Sequence, residues 1–474
     1  MAGSARRWRN VERGKPLRTW RTTLKLATAA LAVVVASTGA TAAATPKAPQ
    51  AEAGTSTVEG PVPGTVPGDP KASDAADTYP WLSAPGLAEA GYVEQEFFLS
   101  GRADAYSPTG ARLAEDVPYT TRVVVRRPAD PARFDGTVLT EWQNVSGGYD
   151  LDALWAPDQI TRAGQVWVGV SAQRVGVDQL RSWSPARYGG LDVTGGGRFT
   201  ADELSYDVYA QAARALRTGT GGLLGPLRAK TILGIGASQS AGRMTVYYDH
   251  VLPQTEPVFD GYGFIVGQAP AREGDEPVFH VLSETDVRTP VRRPDDDHYR
   301  RWEVAGAAHS GHFGQAYREP LLTRDLGAAP EFACDRPPFS EVPLHHVIAA
   351  AYSHLERWVE PGVLPPSAPG LRFSADGTKA RDAHGLALGG IRLSQVEVPR
   401  ALNTGDNTGE AFCVLFGTHV PFTAAQLDRL YPTHAGYVAR VVDADVRAVR
   451  HGHLLPADAR ANLRDALSSK ADLN

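Results

Sequence analysis

Residues 231–242 read TILGIGASQSAG. The stretch opens on an apolar run, 231–235, short enough for one buried strand. It turns through Gly236, Ala237, Ser238, Gln239 and Ser240. It continues as SAGRMTVYYDHV, where Met244, Val246, Tyr247 and Val251 are spaced roughly as one helix face. Strand, sharp turn with a serine at its centre, then helix is the context of a nucleophile elbow. So tight a turn needs small residues two before and two after the nucleophile. Gly236 and Ser240 meet that need if Ser238 is the nucleophile. Centring the turn on Ser240 instead places Ser238 and Gly242 at the flanks. Ser238 is preferred because it sits directly where the strand ends.

Two other readings fit the same residues. A glycine-rich strand-to-helix turn can cradle phosphate at a helix N-terminus. Gly234 and Gly236 begin that dinucleotide fingerprint, but the third glycine position holds Gln239, and Asp260 stands at the distance of a ribose contact. A serine at a helix start can also serve only as a cap.

Chemistry decides among these by the partners it requires. A serine hydroxyl needs a base within hydrogen-bond reach, and the base needs an orienting acid. After the elbow the order expected is acid, then histidine. The apolar run 277–282 ends in Ser283-Glu284-Thr285-Asp286. Asp286 and Glu284 are both candidate acids, with Asp286 favoured by its place beyond the strand. The competing reading is that both are solvated loop residues. The next strand, 302–304, leads into Ala305-Gly306-Ala307-Ala308-His309. His309 suits the general base, and His312 is its nearby competitor. An oxyanion needs preorganised donors. The backbone N–H of Gln239 is one candidate, and those near Asn144 and Val145, in the loop 143–148, are the second.

Strands and helices alternate through the middle of the chain. Residues 92–100, 119–126, 136–141 and 165–172 read as strands, 204–216 as a helix, and 259–266 as a further short apolar run. That alternation predicts an α/β fold, with a mostly parallel central sheet covered by helices on both faces. Beyond Cys334 the chain is punctuated by proline, carries a helix over Leu344–Val359, and ends in a charged helical tail. It reads as a C-terminal extension of one domain spanning 80–474.

The N-terminus reads differently. Residues 1–25 are basic, 26–36 apolar but too short to span a bilayer, and small residues follow. This is the pattern of a secretory signal peptide over 1–44, and an uncleaved anchor is the competing reading. Arg6-Arg7 hints at twin-arginine export. Residues 45–79, rich in Ala, Pro, Gly, Ser and Thr, read as a disordered linker. An exported chain with two cysteines, Cys334 and Cys413, is expected to pair them. Neither has a neighbour at zinc-ligand spacing. Adjacent His345 and His346 point to different helix faces and are poor joint ligands. The acidic run 295–297 with His298 could hold calcium, but more often such a run is solvated. The net charge of -5 is small, which argues against a nucleic-acid surface or a basic membrane patch.

With these residues in place, the chain resembles the α/β-hydrolase superfamily, and within it a bacterial group described simply as alpha/beta hydrolase domain proteins. The resemblance rests on 141–148 (EWQNVSGG), 169–173 (GVSAQ), 236–243 (GASQSAGR), 283–287 (SETDV) and 301–309 (RWEVAGAAH), with GGIR at 389–392 and YPTH at 431–434. It implies an α/β-hydrolase fold and a Ser-His-Asp/Glu triad, but no settled substrate. The combined expectation is a secreted serine hydrolase acting on a small-molecule carboxylic ester through an acyl-enzyme. It needs no metal or cofactor, no nucleic acid, and no stable membrane insertion once the signal is removed. A non-catalytic binding or scaffold protein on the same fold is the alternative.

Overall fold

The apolar run at 231–235 lies in a strand with no exposed position, the signature of a strand covered on both faces. In this computed structural model, residues 56–64 and 66–469 are described, and they fall in one compact unit. The signal peptide expected over 1–44 lies outside the described residues.

Nine strands form the main sheet: β1 (Thr57–Glu59), β2 (Tyr92–Tyr106), β3 (Arg112–Pro128), β4 (Thr137–Trp142), β5 (Val166–Val170), β6 (Thr231–Ala237), β7 (Gly261–Ile265), β8 (Val278–Ser283) and β9 (Tyr299–Val304). Their spatial order is β1-β2-β3-β5-β4-β6-β7-β8-β9. From β5 to β9 every pairing is parallel, whereas β1, β2 and β3 pair antiparallel, and β3 joins β5 antiparallel. The elbow strand β6 therefore runs in the middle of the parallel part, between β4 and β7. Parallel neighbours require crossovers. Helices α1 (Pro157–Ala163), α2 (Arg174–Trp183), α3 (Pro185–Tyr188), α4 (Ser205–Thr218), α5 (Gln239–Val246), α6 (His312–Leu326) and α7 (Leu344–Val359) follow in chain order. Along β6, Ile232 joins one core with α4, while Leu233, Ile235 and Ala237 join a second core on the opposite face with α7.

The strands over 92–100 and 119–126 extend well beyond those ranges, because they form one long hairpin whose polar outer residues hide the pattern. Strand β9 also begins earlier than its apolar core at 302–304. Arg300 and Arg301 sit within it, neutralised by Asp295 at 3.2 Å and Glu303 at 2.9 Å.

One expectation needs correction. Residues 56–64 and 66–79, read from composition as part of a disordered linker, pack on the domain. Strand β1 pairs with β2, and Ser56 Oγ donates to Gln211 Oε1 at 2.8 Å. Val62 N–H donates to the Glu96 carbonyl at 2.7 Å, and Arg187 donates to the Pro63 carbonyl and to Thr78 Oγ1. The segment has few large side chains to bury, so it is held largely through backbone groups, which composition does not reveal.

Arg187 belongs to a buried ion cluster. Its Nε lies 2.6 Å from Glu96 Oε2, and Arg122 Nε donates to Glu96 Oε1, which also accepts from Tyr188 Oη at 2.7 Å. Burial alone would raise the Glu96 carboxyl, but Arg122 and Arg187 outweigh it and hold the group below the usual range. Glu96 thus serves two guanidiniums at once, while Arg122 Nη1 is buried without a hydrogen-bond partner.

The chain beyond β9 packs on the same unit. Cys334 and Cys413 are bonded, with Cα atoms 5.4 Å apart. Helices His434–Arg450 and Pro456–Ser468 form the tail. No helix among the described residues is long and apolar enough to cross a membrane.

Candidate active site

Ser238 follows β6 directly, at φ 56° and ψ −116°. A non-glycine residue in this region is strained, and such strain is held only where surrounding structure fixes it. Its N–H donates to the Ile265 carbonyl at 2.9 Å, and its carbonyl accepts from Gly242 N–H at 3.1 Å. The turn is packed so closely that a Cβ on Gly236 would lie 3.1 Å from the Ser240 backbone, and one on Gly267 only 2.8 Å from the Ser238 carbonyl.

The two serines of the elbow have different surroundings. Ser240 is fully buried; its hydroxyl donates to the Ala237 carbonyl at 2.9 Å and accepts from Ala237 N–H at 3.0 Å. It braces the turn. Ser238 lines a cavity of about 310 Å³.

His309 lines the same cavity. Its Nδ1 lies 2.7 Å from Asp286 Oδ1, while Ser283 Oγ donates to Asp286 Oδ2 at 2.6 Å. With Asp286 accepting through both oxygens, Nδ1 carries the imidazole proton and Nε2 is left as the basic nitrogen. The His309 backbone N–H donates to Thr285 Oγ1 at 3.1 Å, and Thr285 Oγ1 donates to the Gly405 carbonyl at 2.7 Å. One loop thus fixes both ends of the histidine.

Glu284, the second candidate acid, is placed elsewhere. It is fully buried, accepts from Gly306 N–H at 2.6 Å, and pairs with Arg381 at 2.8 Å. His312 opens α6 with an exposed side chain, and its N–H donates to the Ser340 carbonyl at 3.0 Å. Neither is in the Asp286–His309 pair.

The oxyanion candidates cluster beside the elbow. Gln239 is the first residue of α5, and Val145 N–H lies 3.4 Å from Gln239 Oε1, a long contact. Asn144 commits its side chain to structure: Nδ2 donates to the Ala237 carbonyl at 2.9 Å, and Oδ1 accepts from Ser146 N–H at 2.8 Å. Sequence reading did not anticipate Gln173. Its amide faces that of Gln239 in a reciprocal pair and also donates to the Gln143 carbonyl at 3.0 Å, tying the elbow to the loop after β4. The motif GVSAQ contains it, but nothing in that spacing points to position 239.

The loop after β4 has a second anchor. Glu141 is fully buried at the end of β4 and accepts from Ala153 N–H at 2.8 Å and Trp167 Nε1 at 2.9 Å. Burial, and then the Asp152 carboxylate, push its carboxyl up to about 8 despite these donors. The unfolded reference is 4.5, so folding tightens proton binding here. The group's stabilising contribution is full below the unfolded value and is lost as pH rises through the folded one. Glu141→Gln should therefore flatten the fall in Tm between about pH 5 and 9. Thermal melts across that range check this, and an unchanged slope would show that Glu141 stays ionised in the fold.

Three of the carboxylates considered for a nucleotide or a metal ion are paired within the protein itself. Asp260 accepts from Ile232 N–H at 2.7 Å and pairs with Arg217 at 2.7 Å, at the opposite end of β6 from Ser238. Asp295 and Asp296 face Arg300 and Arg293. Among the described residues, no group of three or more His, Cys, Asp or Glu side chains is arranged to hold a metal ion. His345 packs against Phe313 with ring centroids 4.6 Å apart, and burial, then His346, lowers it to about 3. Burial lowers His346 to about 4.

The family described as "Alpha/beta hydrolase domain" matches residues 58–464. No curated protein matches the sequence. Among solved structures, the esterase Est22 with p-nitrophenol is 10% identical with a TM-score of 0.27, over 42% of this chain and 65% of that one. The chain thus spans just under two thirds of that esterase. A prolyl endopeptidase is 11% identical with a TM-score of 0.28, over 51% of this chain and 39% of its own. Brefeldin A esterase, a bacterial homologue of human hormone-sensitive lipase, is 12% identical with a TM-score of 0.23, over 37% of this chain and 40% of its own.

Proposed function

This chain belongs to the alpha/beta hydrolase domain family, and from that premise we propose that it is a serine hydrolase of small carboxylic esters. The observation that carries the reading is the strained Ser238 facing the same cavity as the Asp286-paired His309. Ser238 Oγ attacks the ester carbonyl carbon as His309 Nε2 takes its proton. The carbonyl π electrons move onto oxygen, and the N–H groups of Gln239 and Val145 stabilise that oxyanion. Asn144 supports them by holding the loop. Collapse expels the alcohol, which receives the proton from His309. Water then repeats the sequence on the acyl-enzyme, releasing the acid and restoring Ser238. Asp286 keeps Nδ1 protonated and steadies the imidazolium.

The cavity supports a small substrate. At about 310 Å³ it is at the lower end of ligand pockets, and Phe313, Phe332, Leu344, Ile348, Leu415 and Phe416 give it apolar walls. Export is part of the proposal, supported by the leader-like N-terminus and the Cys334–Cys413 bond.

A fluorophosphonate probe tests the reading. We expect one covalent adduct, mapped by peptide mass to Ser238, and hydrolysis of short-chain esters. A protein that neither labels nor hydrolyses any ester would be a non-catalytic binding or scaffold protein on this fold.

A further inference from the structure

The cavity holds one feature that simple ester hydrolysis does not use. Arg318, in the middle of α6, lines it alongside Ser238 and His309. Arg318 is half-buried, and a guanidinium drawn partly out of water into a pocket usually has a carboxylate partner. Arg318 instead meets a neutral one: its Nη2 donates to Ser310 Oγ at 3.0 Å, and among the described residues no carboxylate lies within ion-pair distance. The nearest acids are already committed. Asp152 pairs with Arg126 at 2.6 Å, and Glu141 is occupied by the backbone of 153–154 and by Trp167. Burial lowers the Arg318 guanidinium from its ordinary value, with Tyr149, Glu141 and Asp152 too weak to offset it.

Ser310 adds a donor. Its Oγ accepts from Arg318 and, at 2.9 Å, from Gln315 Nε2. Among the described residues its own proton has no acceptor, and Ser310 and Gln315 both line the cavity. The donor set therefore lines the same cavity as His309. A planar fork of N–H groups next to hydroxyl and amide donors matches a carboxylate.

We propose that Arg318, with Ser310 and Gln315, is the specificity element of the cavity, and that the preferred substrates are short esters carrying a free carboxylate. The proposal rests on the hydrolase reading above. The carboxylate can belong to the acid part, as in a hemiester of a dicarboxylic acid, or to the alcohol part, as in an ester of a hydroxy acid.

Paired substrates test it on the purified protein. Monoethyl glutarate is compared with ethyl pentanoate for the acid side, and the butanoate ester of 3-hydroxypropanoate with butyl butanoate for the alcohol side. We expect the charged member of one pair to be favoured in kcat/KM by about 10–100-fold, the scale of a charge-assisted hydrogen bond. Arg318→Met should collapse that ratio chiefly through KM, and Arg318→Lys should restore part of it. Thermal melts establish that both variants are folded. A preference for the neutral ester in both pairs, or a ratio unmoved by Arg318→Met, overturns the proposal. Calorimetric titration of monoethyl glutarate into Ser238→Ala, with and without Arg318→Met, separates the two readings. Arg318-dependent binding without any ester turnover keeps the recognition site and ends the hydrolase. Ester turnover without charge preference does the reverse.

Discussion

Ser238→Ala is expected to lower kcat by several orders of magnitude, about the 10⁶ scale seen when a triad nucleophile is removed, while the protein stays folded. The alanine removes only the Oγ atom, and the elbow is fixed by other groups: the Ser238 backbone bonds to Ile265 and Gly242, and Ser240 closes on Ala237. Ser240→Ala is the paired control. It deletes two hydrogen bonds inside the turn, so its main effect should be on stability, on the order of 1–3 kcal/mol for a buried partner left unpaired. Rates on a short-chain ester together with urea melts separate the two. A dead Ser240→Ala beside an active Ser238→Ala would move the nucleophile two residues along the chain and require the cavity to be entered from a different side.

Asp286→Asn is expected to cost about 10³–10⁴ in kcat, the scale for a lost orienting carboxylate. An amide can offer His309 Nδ1 either an oxygen or an N–H group, and Ser283 Oγ–H competes for the oxygen that Asp286 now supplies to each. When the N–H faces the ring, the imidazole proton moves to Nε2 and the base is lost. Glu284→Gln should behave differently. Its carboxylate neutralises Arg381 and receives Gly306 N–H, so the variant should melt at lower temperature while its kcat changes far less. Steady-state kinetics at saturating ester decide between them. The opposite ranking would assign the orienting role to Glu284, acting through Gly306. Near-normal turnover in both variants would mean that another group holds the histidine.

Asp286 and Glu284 also show where a sequence stops being informative. They stand two residues apart in one loop, and no spacing rule separates them. What separates them is Arg381, almost a hundred positions downstream, whose approach to Glu284 depends on how the extension folds back. Ser238 was easier to read, because a buried strand announces itself as an apolar run and the small residues after it limit where the turn can lie. Ser240 could be set aside only once its hydroxyl was seen closed on Ala237. Arg318 gave no signal at all. It sits in α6, a helix with Pro320 inside it and no clear apolar stripe, and a lone arginine there reads as surface. Residues 56–64 and 66–79 show the opposite case, since their attachment runs largely through backbone groups that every sequence possesses.

The hold of the extension on the loop after β8 bears on how members of this family could be recombined. Arg381 reaches Glu284, the Gly405 carbonyl receives Thr285, and a Cβ on Gly405 would come within 2.4 Å of Thr285 N. Thr285 in turn receives the amide of His309. A chimera that exchanged everything after Cys334 for the same region of another member would bring a foreign surface against 284–285. It would pass a folding assay whenever its cores packed, yet His309 would stand on a loop cut for a different mate. The unit that can be exchanged intact therefore includes 283–309 together with the extension, and a crossover placed between them divides one working part.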